Sequence, residues 1–123
     1  MSAKGSKRHR LLRRLADLLE SSALLREQLA LYERETKKII RRIESGERAV
    51  IAGVGTDVAS HRRQVTESVQ QFEAARHRLR LAFMALARKE GDSISEVARV
   101  LGVSRQLASR LAGEADGDVG EEP

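Results

Sequence analysis

The sequence predicts an all-α fold: a long antiparallel helical hairpin, coiled-coil-like, followed by two short helices joined by a tight turn. Three observations support this. Proline occurs only at Pro123, so no fixed φ or missing amide interrupts a helix in the body of the chain. From Leu11 onward, apolar residues recur in alternating four- and three-residue steps. Glycines stand at 46, 53, 55, 91 and 102, where that periodicity breaks. With two Phe, one Tyr and no Trp, burial falls to Leu, Ile, Val and Ala, which suit narrow helix seams.

The first helix is expected from about Lys7 to about Glu44, roughly 55 Å long at the α-helical rise. Leu15, Ser22, Leu29, Thr36 and Ile43 fall at heptad position a, and Leu11, Leu18, Leu25, Tyr32 and Ile39 at d. Apolar residues also lie off this seam: Ala16, Ala23 and Ala30 at b, and Leu24 and Leu31 at c. One partner helix cannot cover both faces. Ala23, Leu24, Ala30 and Leu31 are therefore expected to meet a second copy, two hairpins packing as a four-helix homodimer. Polar Ser22 and Thr36 at a cost stability but can fix register.

The stretch "ESGERAVIAGVGTD" then breaks the pattern, and Thr56 or Asp57 can cap a new helix. Its "GVGTD" lacks the lysine and hydroxyl pattern of a phosphate-binding loop and follows no predicted strand. Val50, Ile51 and Val54 are expected to pack over the hairpin end. A second series runs Val58, Val65, Val69, Phe72, Leu79, Phe83, Leu86, with Ala75 and Ala82 beside it and Arg62 and Arg76 near the seam. A turn near Ile51 would bring Leu11 close to Glu90.

The C-terminal stretch "SISEVARVLGVSRQLASRLAG" has unusually clear helix boundaries. Arg88 and Lys89 suit the negative end of the preceding helix, and Gly91 can end it in the left-handed conformation. Ser93 and Glu96 form a capping box that starts the next helix. Gly102 stops that helix, Val103 supplies the apolar contact behind the stop, and Ser104 caps a third helix from Arg105 to about Ala112. The small Ala98 allows the third helix to cross closely.

In Val97, Ala98, Leu101, Gly102, Val103, Ala108 and Leu111 the stretch resembles the helix-turn-helix DNA-binding family. It is most similar to the compact three-helix form of sigma-factor and recombinase DNA-binding regions, over the C-terminal third of the chain. The resemblance implies that the last helix enters the major groove of double-stranded DNA. It also implies that Arg105, Gln106, Ser109 and Arg110 are the base-reading candidates, with Ser104 capping the helix and able to contact phosphate. Arginine can donate a bidentate pair to guanine, and glutamine can both donate to and accept from adenine. Leu107 departs from the family's small polar residue there. Packing near Phe83 or contact with a thymine methyl would account for it.

Charge distribution fits a nucleic-acid partner. The net charge is +5, and Lys4, Lys7, Arg8, Arg10, Arg13 and Arg14 occur with no acid among them. Glu114, Asp116, Asp118, Glu121 and Glu122 make the tail acidic. The expected organisation is a flexible basic arm at 1–10, a dimerising hairpin at 11–78, the helix-turn-helix unit at 79–113 and an acidic disordered tail at 114–123. Lys4, Lys7, Arg8 and Arg10 are expected to add phosphate contacts beside the recognition helix.

The absence of cysteine excludes disulfides and thiolate chemistry. No apolar run reaches a membrane span, and no secretory signal core is evident, so a cytoplasmic, nucleoid-associated protein is expected. His9, His61 and His77 are too scattered to share a metal, and no catalytic set converges. The expected function is a dimeric, sequence-specific DNA-binding regulator of transcription, without enzymatic activity, metal or cofactor. The alternative is a coiled-coil adaptor that binds a protein partner through its C-terminal helical unit.

Overall fold

The computed structural model of the chain describes residues 6–117, and every regular element among them is a helix. In chain order these are α1 (Lys7–Glu44), α2 (Ala49–Val54), α3 (Val58–Lys89), α4 (Ile94–Leu101) and α5 (Arg105–Gly117). The long N-terminal helix packs against the second long helix. The chain divides into two compact units, one formed by Met1–Leu18 with Ala74–Pro123 and the other by Leu19–Glu73.

The unit Leu19–Glu73 holds the hairpin's turn. α1 ends at Gly46, whose φ of 97° only glycine adopts cheaply. The Gly46 amide bonds to the Ile43 carbonyl at 2.9 Å and the Glu47 amide to the Arg42 carbonyl at 3.1 Å, which satisfies the last carbonyls of the helix. Arg42 then grips Glu47 with two hydrogen bonds of 2.9 and 2.7 Å. The Arg42 guanidinium lies over Gly55, so a Cβ there would displace the end of that side chain.

In α2, Ala52 is fully buried. Residues two apart on a helix lie about 200° apart, so burying Ala52 turns its neighbours outward. Val50 and Val54 are 76% and 79% exposed, and Ile51 is exposed as well, contrary to the expectation that these three pack over the hairpin end.

α3 starts with Thr56, whose hydroxyl bonds to the Gly53 carbonyl at 2.8 Å and accepts the Val58 amide at 3.4 Å. The buried Glu35 carboxylate of α1 accepts the Asp57 amide at 2.9 Å and the Lys38 ammonium at 2.8 Å. These bonds, Lys38 foremost, hold the Glu35 pKa below the ordinary 4.5 in spite of burial. With Glu35 held at the start of α3, positions d and g of α1 face inward, and the other polar groups there are Ser21, Gln28 and Arg42. The expected d residues Leu25, Tyr32 and Ile39 are on this stripe. The expected a residues Leu29, Thr36 and Ile43 are rotated into solvent. On the stretch of α3 that belongs to this unit, Ser68 is buried and the expected Val69 is exposed.

The other unit has an apolar core. Met84, Val97 and Leu111 are its largest fully buried side chains, joined by Leu81, Ala87, Ala98, Ala108, Ala112 and Ala115. Phe83, Ile94, Leu101, Val103 and Leu107 pack around them, which assigns Leu107 a place against the core.

Both ends of this unit differ from the expected tails. Ser6 caps α1: its hydroxyl accepts the His9 amide at 3.0 Å and its carbonyl accepts the Arg10 amide at 3.0 Å. Lys7, Arg8 and Arg10 are therefore helical, not part of a flexible arm, and Lys4 lies outside the described residues. α5 runs past Gly113 to Gly117, because Ala108, Leu111, Ala112 and Ala115 continue one buried stripe at helical spacing. Glu114 and Asp116 are thus helical, not part of a disordered tail. Asp118, Glu121 and Glu122 lie outside the described residues.

Candidate nucleic-acid interface

The candidate interface is built on α4 and α5, and each boundary is fixed by hydrogen bonds local in sequence. α3 ends at Gly91, with φ 96°, the Gly91 amide on the Arg88 carbonyl and the Asp92 amide on the Ala87 carbonyl. The Ser93 hydroxyl accepts the Glu96 amide at 3.2 Å, and the Glu96 carboxylate accepts the Ser93 amide at 2.8 Å. That second bond lowers the Glu96 pKa. Gly102 ends α4 with φ 70°, and the Val103 amide bonds to the Ala98 carbonyl at 3.0 Å. The Ser104 hydroxyl accepts the Leu107 amide at 3.0 Å and so starts α5.

Packing sets the orientation of α5. Ala98 and Ala108 are both nearly or fully buried, and their small side chains permit a close crossing of the two helices. Leu111 faces the core on the same side as Ala108. The opposite side of α5 therefore faces water, and Ser104, Arg105, Gln106, Ser109 and Arg110 are all exposed.

The structure divides these five residues. Gln106, Ser109 and Arg110 line one shallow depression, as spacings of three and four on a helix require. Arg105 turns toward α4, where its Nε donates to the Ser95 hydroxyl at 2.9 Å. Its terminal guanidinium nitrogens retain their donors. The Ser104 oxygen caps the helix as an acceptor, leaving its own hydroxyl proton available to a phosphate. Spacing along the chain gives no sign of Ser95, which lies ten residues from Arg105 on a different helix. Only the crossing of α4 and α5 joins the two.

The basic residues near the N-terminus belong to the same unit. Arg8, one turn before Leu11, pairs with Glu90 at 2.7 Å at the end of α3. The pair is largely exposed and contributes little to stability. Lys7 and Arg8 line a surface depression with Leu86 and Lys89. Arg10 has its Nε buried with no hydrogen-bond partner.

His77 Nε2 lies 2.6 Å from Glu114 and ties α3 to the end of α5. Beside α4, a groove of about 250 Å³ is lined by Phe83, Ala87, Val97 and Val100 with Asp92, Glu96 and Arg99. Of the dimerisation candidates, Ala23, Leu24 and Ala30 are exposed and Leu31 is half-buried. Among the described residues no three His, Asp or Glu side chains gather as a metal site, and no helix is long and apolar enough to cross a membrane. Searches against protein-family models, curated proteins and solved structures find no match for the chain.

Proposed function

We propose that the chain binds double-stranded DNA sequence-specifically through α5, acting as a homodimeric, nucleoid-associated regulator of transcription in the cytoplasm. The observation that carries this reading is the joint exposure of Gln106, Ser109 and Arg110 on one face of a helix whose other face is locked to the core. A major groove admits a helix presented in this way, and Gln and Arg have the bidentate donor and acceptor patterns that discriminate adenine and guanine. Arg105, held at Ser95, and the Ser104 hydroxyl are assigned to phosphates flanking the bases. Lys7 and Arg10 add positive charge on the same unit, so affinity falls as salt rises.

Selection of bound sequences from random duplexes tests the reading. The parent chain should enrich a motif. Arg110→Ala should lose discrimination at one position by about 1–3 kcal/mol. Arg105→Ala should weaken all sequences alike. A folded parent that enriches no motif defeats the proposal.

One observation favours a second reading, an adaptor that binds a protein partner through the C-terminal unit. Val100 is 68% exposed at the rim of the groove that Phe83 and Val97 line, which gives that groove an apolar lip. Val100→Asp separates the two readings: it removes an apolar partner but leaves duplex binding intact.

A further inference from the structure

We propose that α1 pairs antiparallel with α1 of a second copy through heptad positions a and e. This deepens the homodimer reading by naming the surface and its direction.

Because α1 is one uninterrupted helix, its faces follow from periodicity along its whole length. Contact with α3 uses d and g. Positions a and e then form a second stripe with coiled-coil spacing, and its large apolar members Leu12, Leu15, Leu19, Leu29, Ile40 and Ile43 are all exposed. Leu19 is 72% exposed and Leu12 is 60%. A row of this kind in water marks an interaction surface.

The occupant follows from the order of residues along the stripe, which reads as apolar, polar, apolar and is self-complementary on reversal. Laid antiparallel about a two-fold axis between Glu27 and Gln28, every a residue meets an e residue. Leu12 meets Ile43, Leu15 meets Ile40, Leu19 meets Thr36, Ser22 meets Glu33 and Arg26 meets Leu29, with Glu33 one turn from Arg26. Such an arrangement is isologous, as a two-fold dimer requires. Parallel pairing would instead set Arg26 on Arg26 and Glu33 on Glu33, which costs stability.

The small b residues flank the stripe. Ala23 of one copy lies across from Ala30 of the other, and both are exposed. Leu24 and Leu31, at c, lie on the far edge of the intramolecular seam and take no part. Of the four residues that sequence alone puts at the interface, the geometry thus keeps Ala23 and Ala30.

The chain has no cysteine, so single cysteines report proximity without background. Chains carrying Leu12→Cys and Ile43→Cys, mixed and oxidised, should form a disulfide-linked dimer, and neither chain alone should do so. A Leu12→Cys chain that links to itself overturns the antiparallel arrangement. In sedimentation, Leu19→Glu should weaken association at least about a hundredfold, because a carboxylate would be buried in each copy, with helical content kept. Leu24→Glu should leave association unchanged. A parent chain that stays monomeric at concentrations on the order of 100 µM, or one dissociated by Leu24→Glu and not by Leu19→Glu, overturns the proposal. Each readout is made without DNA, so its failure leaves the base-reading role of α5 standing, and the reverse holds.

Discussion

The two units of the molecule are held together by different chemistry. In the unit carrying α4 and α5, Met84, Val97 and Leu111 are surrounded by buried alanines, and the side-chain hydrogen bonds, at caps and between helices such as Arg8–Glu90 and Arg105–Ser95, lie at the exposed edges. In Leu19–Glu73, the buried side chains are Glu35, Ala52 and Ser68, and the Gln28 Oε1 and His61 Nδ1 atoms are enclosed without a partner. Apolar burial is non-directional and tolerates small errors. A polar seam stabilises only where every group finds its partner. The difference shows why α5 can be held firmly by a short stretch of chain, whereas the hairpin's distal part leaves its leucines outside.

That contrast can be broken most directly in the apolar core. Leu111→Ala should destabilise the unit containing α4 and α5 by about 2–5 kcal/mol, read as a fall in its denaturant midpoint. If circular dichroism showed the whole helical signal falling in one step with that change, the two units would be one cooperative block.

Two glycines on this unit should respond with opposite signs. Gly102 has φ 70°, and Gly102→Ala should cost about 1–2 kcal/mol and loosen the turn before α5. Gly113 lies inside α5, where a Cβ would meet nothing within 4 Å, and Gly113→Ala should stabilise by about 0.5–1 kcal/mol. Thermal melts of the two variants decide this, and equal signs would deny that conformation alone sets the cost.

The smallest change is expected from Glu35→Gln, whose amide oxygen can still accept the Asp57 amide. Its signature is a dependence on pH. The folded pKa of Glu35 lies below 4.5, so the unfolded state binds more protons, and stability is full above that value and is lost as pH falls through the folded pKa. Parent and variant midpoints should differ more at pH 7 than near about pH 3. A difference that stays constant across this range would remove Glu35 from the linkage.

Much of this architecture is legible in the chain. The limits of α1, the left-handed residues Gly91 and Gly102, the capping box at Ser93 and the exposed row on α5 all depend on residues within one or two turns of one another. The last helix is expected to end near Ala112, yet Ala112 and Ala115 carry the buried stripe on to Gly117. A flexible arm over Lys7–Arg10 fails as an expectation because Ser6 caps the helix ahead of them. Arg105 groups with Gln106 and Arg110 by spacing alone, since distance along the chain does not show that Ser95 stands beside it.

By itself the sequence determined where α1 stops, where α4 starts and stops, where α5 starts and which side of α5 is polar, because caps, φ preferences and side-chain period act over a few residues. Only the tertiary structure decided which stripe of α1 meets α3. The helix carries apolar residues at a, d and e alike, and their periodicity is equally content with any of them inward. On the stripe that faces α3, Leu25, Tyr32 and Ile39 lie beside the buried Glu35 carboxylate, which meets the Asp57 amide and Lys38, and the a and e leucines face out.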